Sequence, residues 1–290
     1  MLWNRLNKND ALKKLSQETF KRKTISFYRY GTVPDPGALR DRLFQDWQSF
    51  GVMGRVYIAR EGINAQISVP EPCFEDFQRS LHELPAFADL PFKFALDEEL
   101  SFWKLTIKVK NKIVADGIKD PDFDASKSGS YLSPVAFHEA LDKPDTIVVD
   151  ARNHFESRIG KFEKALTPNA DTFREELPLI KELLKGKEDK NILLYCTGGI
   201  RCEKASAYLK HHGFKQVFQL EGGIINYVHE MKKNGIRPRF IGKNFVFDER
   251  ISEPVTDDVL SQCDQCQEPC DRYVNCRNSG CNMLFLQCEF

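Results

Sequence analysis

Three short, nearly continuous apolar runs in the second half of the chain place the strongest limit on its fold. They are residues 146–149, 191–195 and 216–220, and segments with helical spacing lie between them. Strands buried on both faces of a parallel sheet have such runs, whereas strands with one wet face alternate. The pattern therefore predicts a doubly wound α/β domain with a parallel sheet over residues 134–238.

The first third of the chain has a different order: strand, helix, strand, turn, strand, helix, strand. The strands are predicted at residues 24–30, 52–59, 63–69 and 104–109. Glu61 and Gly62 form the turn of a hairpin, because glycine tolerates the positive φ that such turns require. This order predicts a ferredoxin-like or acylphosphatase-like N-terminal domain over residues 1–120, including an N-terminal extension.

Composition supplies the remaining boundaries and excludes some classes of protein. Residues 121–133 are rich in aspartate, serine and glycine and predict a linker, and residues 239–290 form a small Cys-rich C-terminal segment. The 42 basic and 42 acidic side chains cancel, so no global field attracts nucleic acid or membrane. No run approaches the roughly 18 apolar residues of a membrane span. We therefore expect a cytoplasmic protein with no membrane partner.

The loop after the second apolar run carries the residues most suited to chemistry. Backbone N–H groups there can point at the sulfur of Cys196, and the positive end of the following helix adds to their field. Both effects favour the thiolate, which is the nucleophilic form. Arg201 adds a guanidinium group, whose fixed positive charge and paired N–H donors can bind an anionic group. The loop residues are Thr197, Gly198, Gly199, Ile200 and Arg201.

Two other interpretations of this loop remain. Cys196 could be a buried core cysteine beside an ordinary glycine turn, and Cys202 could be either a resolving thiol or a plain helix-start residue. A phosphatase loop has five residues between its cysteine and arginine, whereas Arg201 follows Cys196 one position earlier. The shorter ring of amides fits a persulfide better than a phosphate.

The loop and its flanking motifs resemble a known family. Residues 148–152, the Cys196 loop and residues 220–224 look like successive rhodanese signatures. More narrowly, the chain resembles the bacterial rhodanese-containing tRNA wobble-uridine hydroxylases over nearly its whole length. The matching segments are residues 59–65, 172–175, 196–206, 245–250 and 270–276.

The resemblance implies that Cys196 is the active-site cysteine and that Asp150 and Arg152 buttress its loop. It also implies oxygen-dependent formation of 5-hydroxyuridine at position 34 of tRNA, with molecular oxygen as a substrate and with an electron donor as a partner. Cys196 would work as a thiolate, a persulfide or an oxidised sulfur. The sequence carries no flavin, haem or iron-binding motif, so it predicts no organic cofactor.

Two other function classes remain beside the hydroxylase. A thiosulfate or persulfide sulfurtransferase acting through a Cys196 persulfide fits the middle domain equally well, and a noncatalytic binding module could use the same scaffold. The two flanking domains favour the hydroxylase, because simple sulfur transfer does not need them.

An unstacked wobble base is read by stacking and edge contacts. Candidate binding residues are Arg60, Glu61 and Asn64 at the hairpin, where turn formation is the alternative role. RNA could also lie on the sheet of the first domain, through Phe27, Tyr28, Arg29 and Tyr57, although aromatic residues on strands are more often core.

Six of the nine cysteines lie in the last thirty residues. In a cytosolic chain such clustering predicts metal or redox chemistry instead of a disulfide framework. The most regular four for a structural tetrahedral zinc are Cys263, Cys266, Cys276 and Cys281. Structural cysteines, reduced or disulfide-linked, are the alternative. The family pattern predicts further residues and cysteines after Phe290.

Overall fold

The computed structural model describes residues 7–278, 280–281 and 283–289. The chain divides into two compact units, one of Met1–Ala115 with Asp248–Arg250, the other of Asp116–Phe247 with Ile251–Phe290. No helix in the described ranges is long and apolar enough to cross a membrane.

The first unit is built on a five-stranded sheet in the order β4-β1-β3-β2-β5. Strands β2 and β5 are parallel, and the other neighbours are antiparallel. The four predicted strands are confirmed, whereas the two-residue β4 was missed because so short a strand has no periodicity. The elements are α1 Lys8–Leu15, β1 Arg22–Tyr30, α2 Pro36–Ser49, β2 Met53–Ala59, β3 Gly62–Pro70, α3 Phe74–His82, β4 Lys93–Phe94 and β5 Leu105–Val109.

Helices α2 and α3 cover one face of this sheet. Asp35 caps α2 by accepting a hydrogen bond from the Ala38 N–H at 2.9 Å. Trp47 from α2 and Phe77 from α3 are fully buried, and their ring centroids are 5.3 Å apart. They pack with the inward-facing strand residues, including Phe27, into one hydrophobic core. Phe27 is therefore a core residue.

The hairpin between β2 and β3 requires a glycine. Gly62 has a φ of 141°, and a Cβ there would lie 2.0 Å from the carbonyl oxygen of Arg29. The turn thus brings β3 against β1 with no room for a side chain. The predicted hairpin is confirmed, but its turn residues are Arg60 and Glu61, and Gly62 begins β3 and pairs with Ala59.

The second unit contains a four-stranded sheet in the order β6-β10-β9-β7, and all its strands are parallel. The three apolar runs form β7, β9 and β10, so the predicted doubly wound parallel sheet is confirmed. The four strands are β6 Ser130–Leu132, β7 Thr146–Asp150, β9 Asn191–Tyr195 and β10 Gln216–Leu220, and β8 Gly160–Phe162 lies outside this sheet. The helices are α4 Pro134–Ala140, α5 His154–Ile159, α6 Phe173–Leu183, α7 Ile200–His211 and α8 Gly223–Lys233.

The segment predicted as a linker, residues 121–133, belongs to this second unit and ends in β6. The Gly129 N–H donates to Ser206 Oγ at 2.8 Å, and Gln219 Nε2 donates to the Gly129 carbonyl at 3.1 Å. A Cβ on Gly129 would lie 2.6 Å from the Val217 carbonyl oxygen. The small residue here therefore serves close approach to the sheet.

The Cys-rich segment packs on α5. Strand β11 (Phe240–Phe245) pairs with β8 and with β12 (Ser252–Pro254), while β13 (Tyr273–Asn275) and β14 (Leu284–Leu286) form a separate hairpin. Tyr273 donates from its hydroxyl to the Phe155 carbonyl at 2.7 Å. Ile159 at the end of α5 shares a buried cluster with Phe245, Cys263, Cys270, Tyr273 and Leu286.

Candidate active site at Cys196

Cys196 lies at the carboxyl end of β9 and is fully buried. Gly199, at the start of α7, has a left-handed φ of 97°, which turns the chain so that its N–H donates to Cys196 Sγ at 3.1 Å. The sulfur therefore faces the positive end of α7, as the sequence predicts.

The surroundings of this sulfur favour its charged form. Burial raises the pKa of Cys196, but four groups oppose that effect: the Cys202 thiol, the Arg201 charge, and the N–H groups of Cys202 and Arg201. Together they lower the pKa of Cys196 to about 6. Burial and the neighbouring Cys196 raise the pKa of Cys202 well above its ordinary value. Cys202 therefore stays a thiol at neutral pH and donates to the Cys196 thiolate.

Arg201 is held by a carboxylate that sequence reasoning missed. Its Nη1 lies 2.5 Å from Glu156 Oε1, and its Nη2 lies 2.9 Å from Glu156 Oε2. Nη2 also donates to Thr197 Oγ1 at 3.3 Å. The fork that the sequence assigns to an anionic ligand is therefore filled by Glu156. Glu156 also accepts the Asn153 N–H at 3.1 Å, which ties the start of α5 to this loop.

Asp150 and Arg152 form a second buried ion pair beneath the loop. Arg152 Nε and Nη2 donate to the two carboxylate oxygens of Asp150 at 2.8 and 2.7 Å, and both side chains are fully buried. The Tyr195 hydroxyl donates to Asp150 Oδ2 at 2.7 Å. Because Tyr195 immediately precedes Cys196, this pair fixes the strand end from which the loop departs.

A glycine pair after β10 closes the loop from its other side. The N–H groups of Ile224 and Ile225 donate to the carbonyls of Cys196 and Thr197 at 3.0 and 3.2 Å. Gly223 has a φ of 69°, and a Cβ there would lie 2.5 Å from the Cys196 carbonyl oxygen. In contrast, a Cβ on Gly198 would meet no atom within 4 Å. The loop is thus clamped at Gly223 and has free space at Gly198.

Glu176 is another buried acid near this loop. Within the described ranges, neither of its carboxylate oxygens has a hydrogen-bond partner. Burial raises the pKa of Glu176 well above its usual value, although the charge of Arg201 opposes the rise. Burial therefore favours the neutral carboxyl group, which interacts electrostatically with Arg201 and Cys196.

Sequence signals for the two missed acids existed. Asn153 and Glu156 have the spacing of a capping box, which predicts the start of α5. Glu176 lies on the buried stripe of α6 with Phe173, Leu177 and Ile180, where a charged residue is unusual. Neither signal predicts that the acid lies near Arg201, because that proximity depends on the tertiary fold.

The hairpin candidates lie in the first unit. Glu61 Oε1 accepts the Ile113 N–H at 2.7 Å, and Asn64 Nδ2 donates to the Ile113 carbonyl at 3.4 Å. Both side chains thus hold the chain that follows β5, while Arg60 is exposed. Glu61 and Asn64 thus have a structural role at this hairpin, and their contact with a base stays a prediction.

Only part of the predicted zinc set comes together. The sulfurs of Cys263, Cys266 and Cys288 all lie within 4.8 Å of one another. Cys276 and Cys281 lie outside this group, which corrects the ligand set drawn from spacing. All nine cysteines are free thiols.

Three family models match the chain. Residues 22–113 match one described as the UPF0176 acylphosphatase like domain, residues 133–230 match the rhodanese-like domain, and residues 241–290 match the rhodanase C-terminal model.

Similar proteins cover nearly the whole chain. A tRNA uridine(34) hydroxylase of Leptospira interrogans is 52% identical over 288 residues, which are 99% of this chain and 78% of that protein. Those of Escherichia fergusonii and Escherichia coli are 52% identical over 291 residues, covering 99% of this chain and 83% of each. A rhodanese-related protein from Thermoplasma volcanium, of known structure, is 23% identical over 35% of this chain and 92% of its own, with a TM-score of 0.30.

The hydrogen bond from Cys202 to Cys196 gives a testable pH dependence. We expect Cys196 to ionise with a pKa of about 6, so its thiolate is lost as the pH falls through that value. Cys202→Ala removes a donor and should raise this pKa toward the ordinary thiol value of about 8.5. The measurement is ultraviolet thiolate absorbance against pH, with matched Cys196→Ser proteins as blanks. A midpoint near 8.5 in the unmodified protein would contradict this assignment.

Proposed function

Because the chain belongs to the family of the tRNA uridine(34) hydroxylases, we propose that it hydroxylates uridine 34 of tRNA and that Cys196 carries the reaction. Identity of 52% over 99% of the chain supports the reaction. The observation that carries the role of Cys196 is its buried sulfur, with a pKa lowered to about 6, at the head of a strand-to-helix loop. Such a sulfur is a reactive thiolate at neutral pH.

The proposed reaction replaces the hydrogen on C5 of the uracil ring by a hydroxyl group. One molecule of oxygen, two electrons and two protons are consumed, and the second oxygen atom leaves as water. The enzyme therefore needs an external two-electron donor as a partner. Burial raises the pKa of Glu176 and so favours its protonated form, and we assign one of these protons to it.

The space at Gly198 suits entry of a flat base. Bases that undergo chemistry leave the stack and enter a pocket. A Cβ on Gly198 would meet no atom within 4 Å, so the Cys196 loop is open at this position. We place the wobble base at this position, against the amide ring that holds the sulfur.

Sulfur transfer is the second candidate, and the rhodanese-like match over residues 133–230 is the observation that favours it. Thiosulfate is a dianion, so a site for it would use a free guanidinium fork. In this loop Glu156 occupies both terminal nitrogens of Arg201. The arrangement therefore favours hydroxylation over transfer from thiosulfate.

Replacement of the sulfur tests the proposal. Cys196→Ser should lower 5-hydroxyuridine in tRNA by more than about 10³-fold, because the hydroxyl group does not ionise at neutral pH. The measurement is mass spectrometry of tRNA nucleosides from cells that lack other uridine 34 hydroxylases and express each variant. Cys73→Ser, in the first unit, is the matched control and should keep full activity. Equal activity of the two variants would sink the role of Cys196.

The first unit offers a surface for the RNA, on the sheet face opposite α2 and α3. Tyr28, Asn64, Tyr57 and Lys108 form one row across this face, in register on four strands. Lys93 Nζ lies 4.4 Å from the Tyr28 ring centroid, and Lys110 Nζ lies 5.8 Å from that of Tyr57.

No strand position that points to this face in β1, β2, β3 or β5 carries a carboxylate. Aromatic rings flanked by cations bind single-stranded RNA by stacking and phosphate contact. We therefore propose that this face of the first unit binds single-stranded RNA through Tyr28, Tyr57 and Lys108.

Substitution of Tyr57 separates stacking from structure. Tyr57→Ala should weaken tRNA binding by about 1–3 kcal/mol, whereas Tyr57→Phe keeps the ring and should bind normally. Lys108→Ala should lower the slope of log Kd against the logarithm of the salt concentration by about one, as expected for the loss of one phosphate contact. Binding is measured with labelled tRNA over a salt series, with the exposed Lys185→Ala as control. Unchanged binding by Tyr57→Ala would show that the RNA lies elsewhere.

A further inference from the structure

The geometry points to a metal site formed by Cys263, Cys266 and Cys288, which holds a thiophilic divalent cation such as zinc. Their three sulfurs lie within 4.8 Å of one another, and the Cys266 and Cys288 sulfurs are 3.4 Å apart. Tetrahedral zinc with Zn–S bonds of about 2.3 Å places sulfurs roughly 3.8 Å apart. The three thiols are thus spaced to share one ion.

A tight turn presents the first two ligands. The Gln267 N–H donates to the Cys263 carbonyl at 3.0 Å, and the Cys263 N–H donates to the Glu268 carbonyl at 2.8 Å. Gln267 has a φ of 68°, a left-handed conformation that non-glycine residues adopt only under local constraint. The turn brings Cys263 and Cys266 to one side of the chain.

The third ligand comes from the other end of the segment. The Asp264 N–H donates to the Leu286 carbonyl at 2.9 Å, and the Leu286 N–H donates to Asp264 Oδ2 at 2.8 Å. These two bonds lay the end of β14 beside the turn, which puts Cys288 against Cys266. The ligand set therefore depends on backbone pairing between segments about twenty residues apart.

The hairpin explains why Cys276 and Cys281 do not join the site. Tyr273 pairs with Leu286 at the open end of the hairpin, while Asn275 pairs with Leu284 near its turn. Cys276 continues toward the turn, where its N–H donates to the Met283 carbonyl at 2.8 Å. Cys288 continues from the opposite end. Cys276 and Cys288 thus leave the hairpin in opposite directions.

The site would also stabilise the surroundings of Cys196. Asp264, next to Cys263, forms an ion pair with Arg158 of α5 at 2.7 Å, and Ser261 Oγ donates to the Arg158 carbonyl at 2.5 Å. The same helix carries Glu156, which holds Arg201. Metal binding at the turn therefore restrains the helix that neutralises Arg201, and its binding free energy adds to folding.

Three described side chains supply ligands for three of the four tetrahedral positions. A disulfide between Cys266 and Cys288 is the competing state, since their sulfurs need to move only from 3.4 Å to about 2.05 Å. The two states differ in metal content and in the number of titratable thiols.

Metal analysis of the full chain decides between them. The protein is expressed in medium with zinc, purified under reducing conditions, and analysed by elemental mass spectrometry. We expect one zinc per chain, with at least tenfold less in Cys288→Ser. Cys276→Ser and Cys281→Ser are the matched controls and should retain the full zinc content. Far-ultraviolet circular dichroism checks that every variant is folded.

A second measurement protects the test against misfolding of Cys288→Ser. A chelator first removes the metal from the unmodified protein. Cobalt added afterwards should give sulfur-to-metal charge-transfer absorption and should raise the midpoint temperature of thermal unfolding. Absence of bound zinc in the reduced, folded protein would overturn the proposal, as would loss of zinc in Cys276→Ser but not in Cys288→Ser. No tRNA is present, so the result is independent of hydroxylation.

Discussion

Glu156 and Arg201 face each other in a buried, two-pronged ion pair beside the Cys196 loop, and much of the second unit is arranged around it. A charge in the interior is costly unless its partner and hydrogen bonds are in place. Glu156 meets that condition by accepting hydrogen bonds from Arg201 and from the start of α5. Arg201 can then lower the pKa of Cys196 without binding a passing anion, which separates this loop from an oxyanion-binding one.

The other groups around the Cys196 loop have separate roles. Asp150 and Arg152 fix the strand end through Tyr195, and Gly223 lets α8 approach the loop backbone. Cys202 stays protonated and donates to the thiolate, while burial raises the pKa of Glu176 in the same region. The surroundings thus lower the pKa of the Cys196 thiol and raise the pKa of the Glu176 carboxyl group, so the two groups are shifted in opposite directions.

The features that the sequence predicts are those with a local signal. The strands β7, β9 and β10 are continuous apolar runs, and the β2–β3 turn needs Gly62, so their positions follow from short stretches of chain. The Cys196 loop is likewise local, since strand, cysteine, glycines and helix follow one another directly.

What sequence reasoning missed depends on contacts between distant residues. Glu156 lies 45 positions before its partner Arg201, and Cys288 lies 22 positions after Cys266. Spacing alone favoured Cys276 and Cys281, but hairpin pairing sends Cys276 away from the site. Strand β6 was missed for a related reason. Gly129, just before it, packs closely against α7 and β10, yet the composition of this stretch is that of a linker.

The most direct test of the account follows the oxygen atom itself. The purified protein, tRNA with unmodified uridine 34 and a two-electron donor are incubated under oxygen-18 gas in ordinary water, and the nucleosides are analysed by mass spectrometry. The account predicts that the new hydroxyl group of 5-hydroxyuridine carries the heavy isotope. Hydroxyl oxygen derived from water, or sulfur in the nucleoside in place of oxygen, would contradict it.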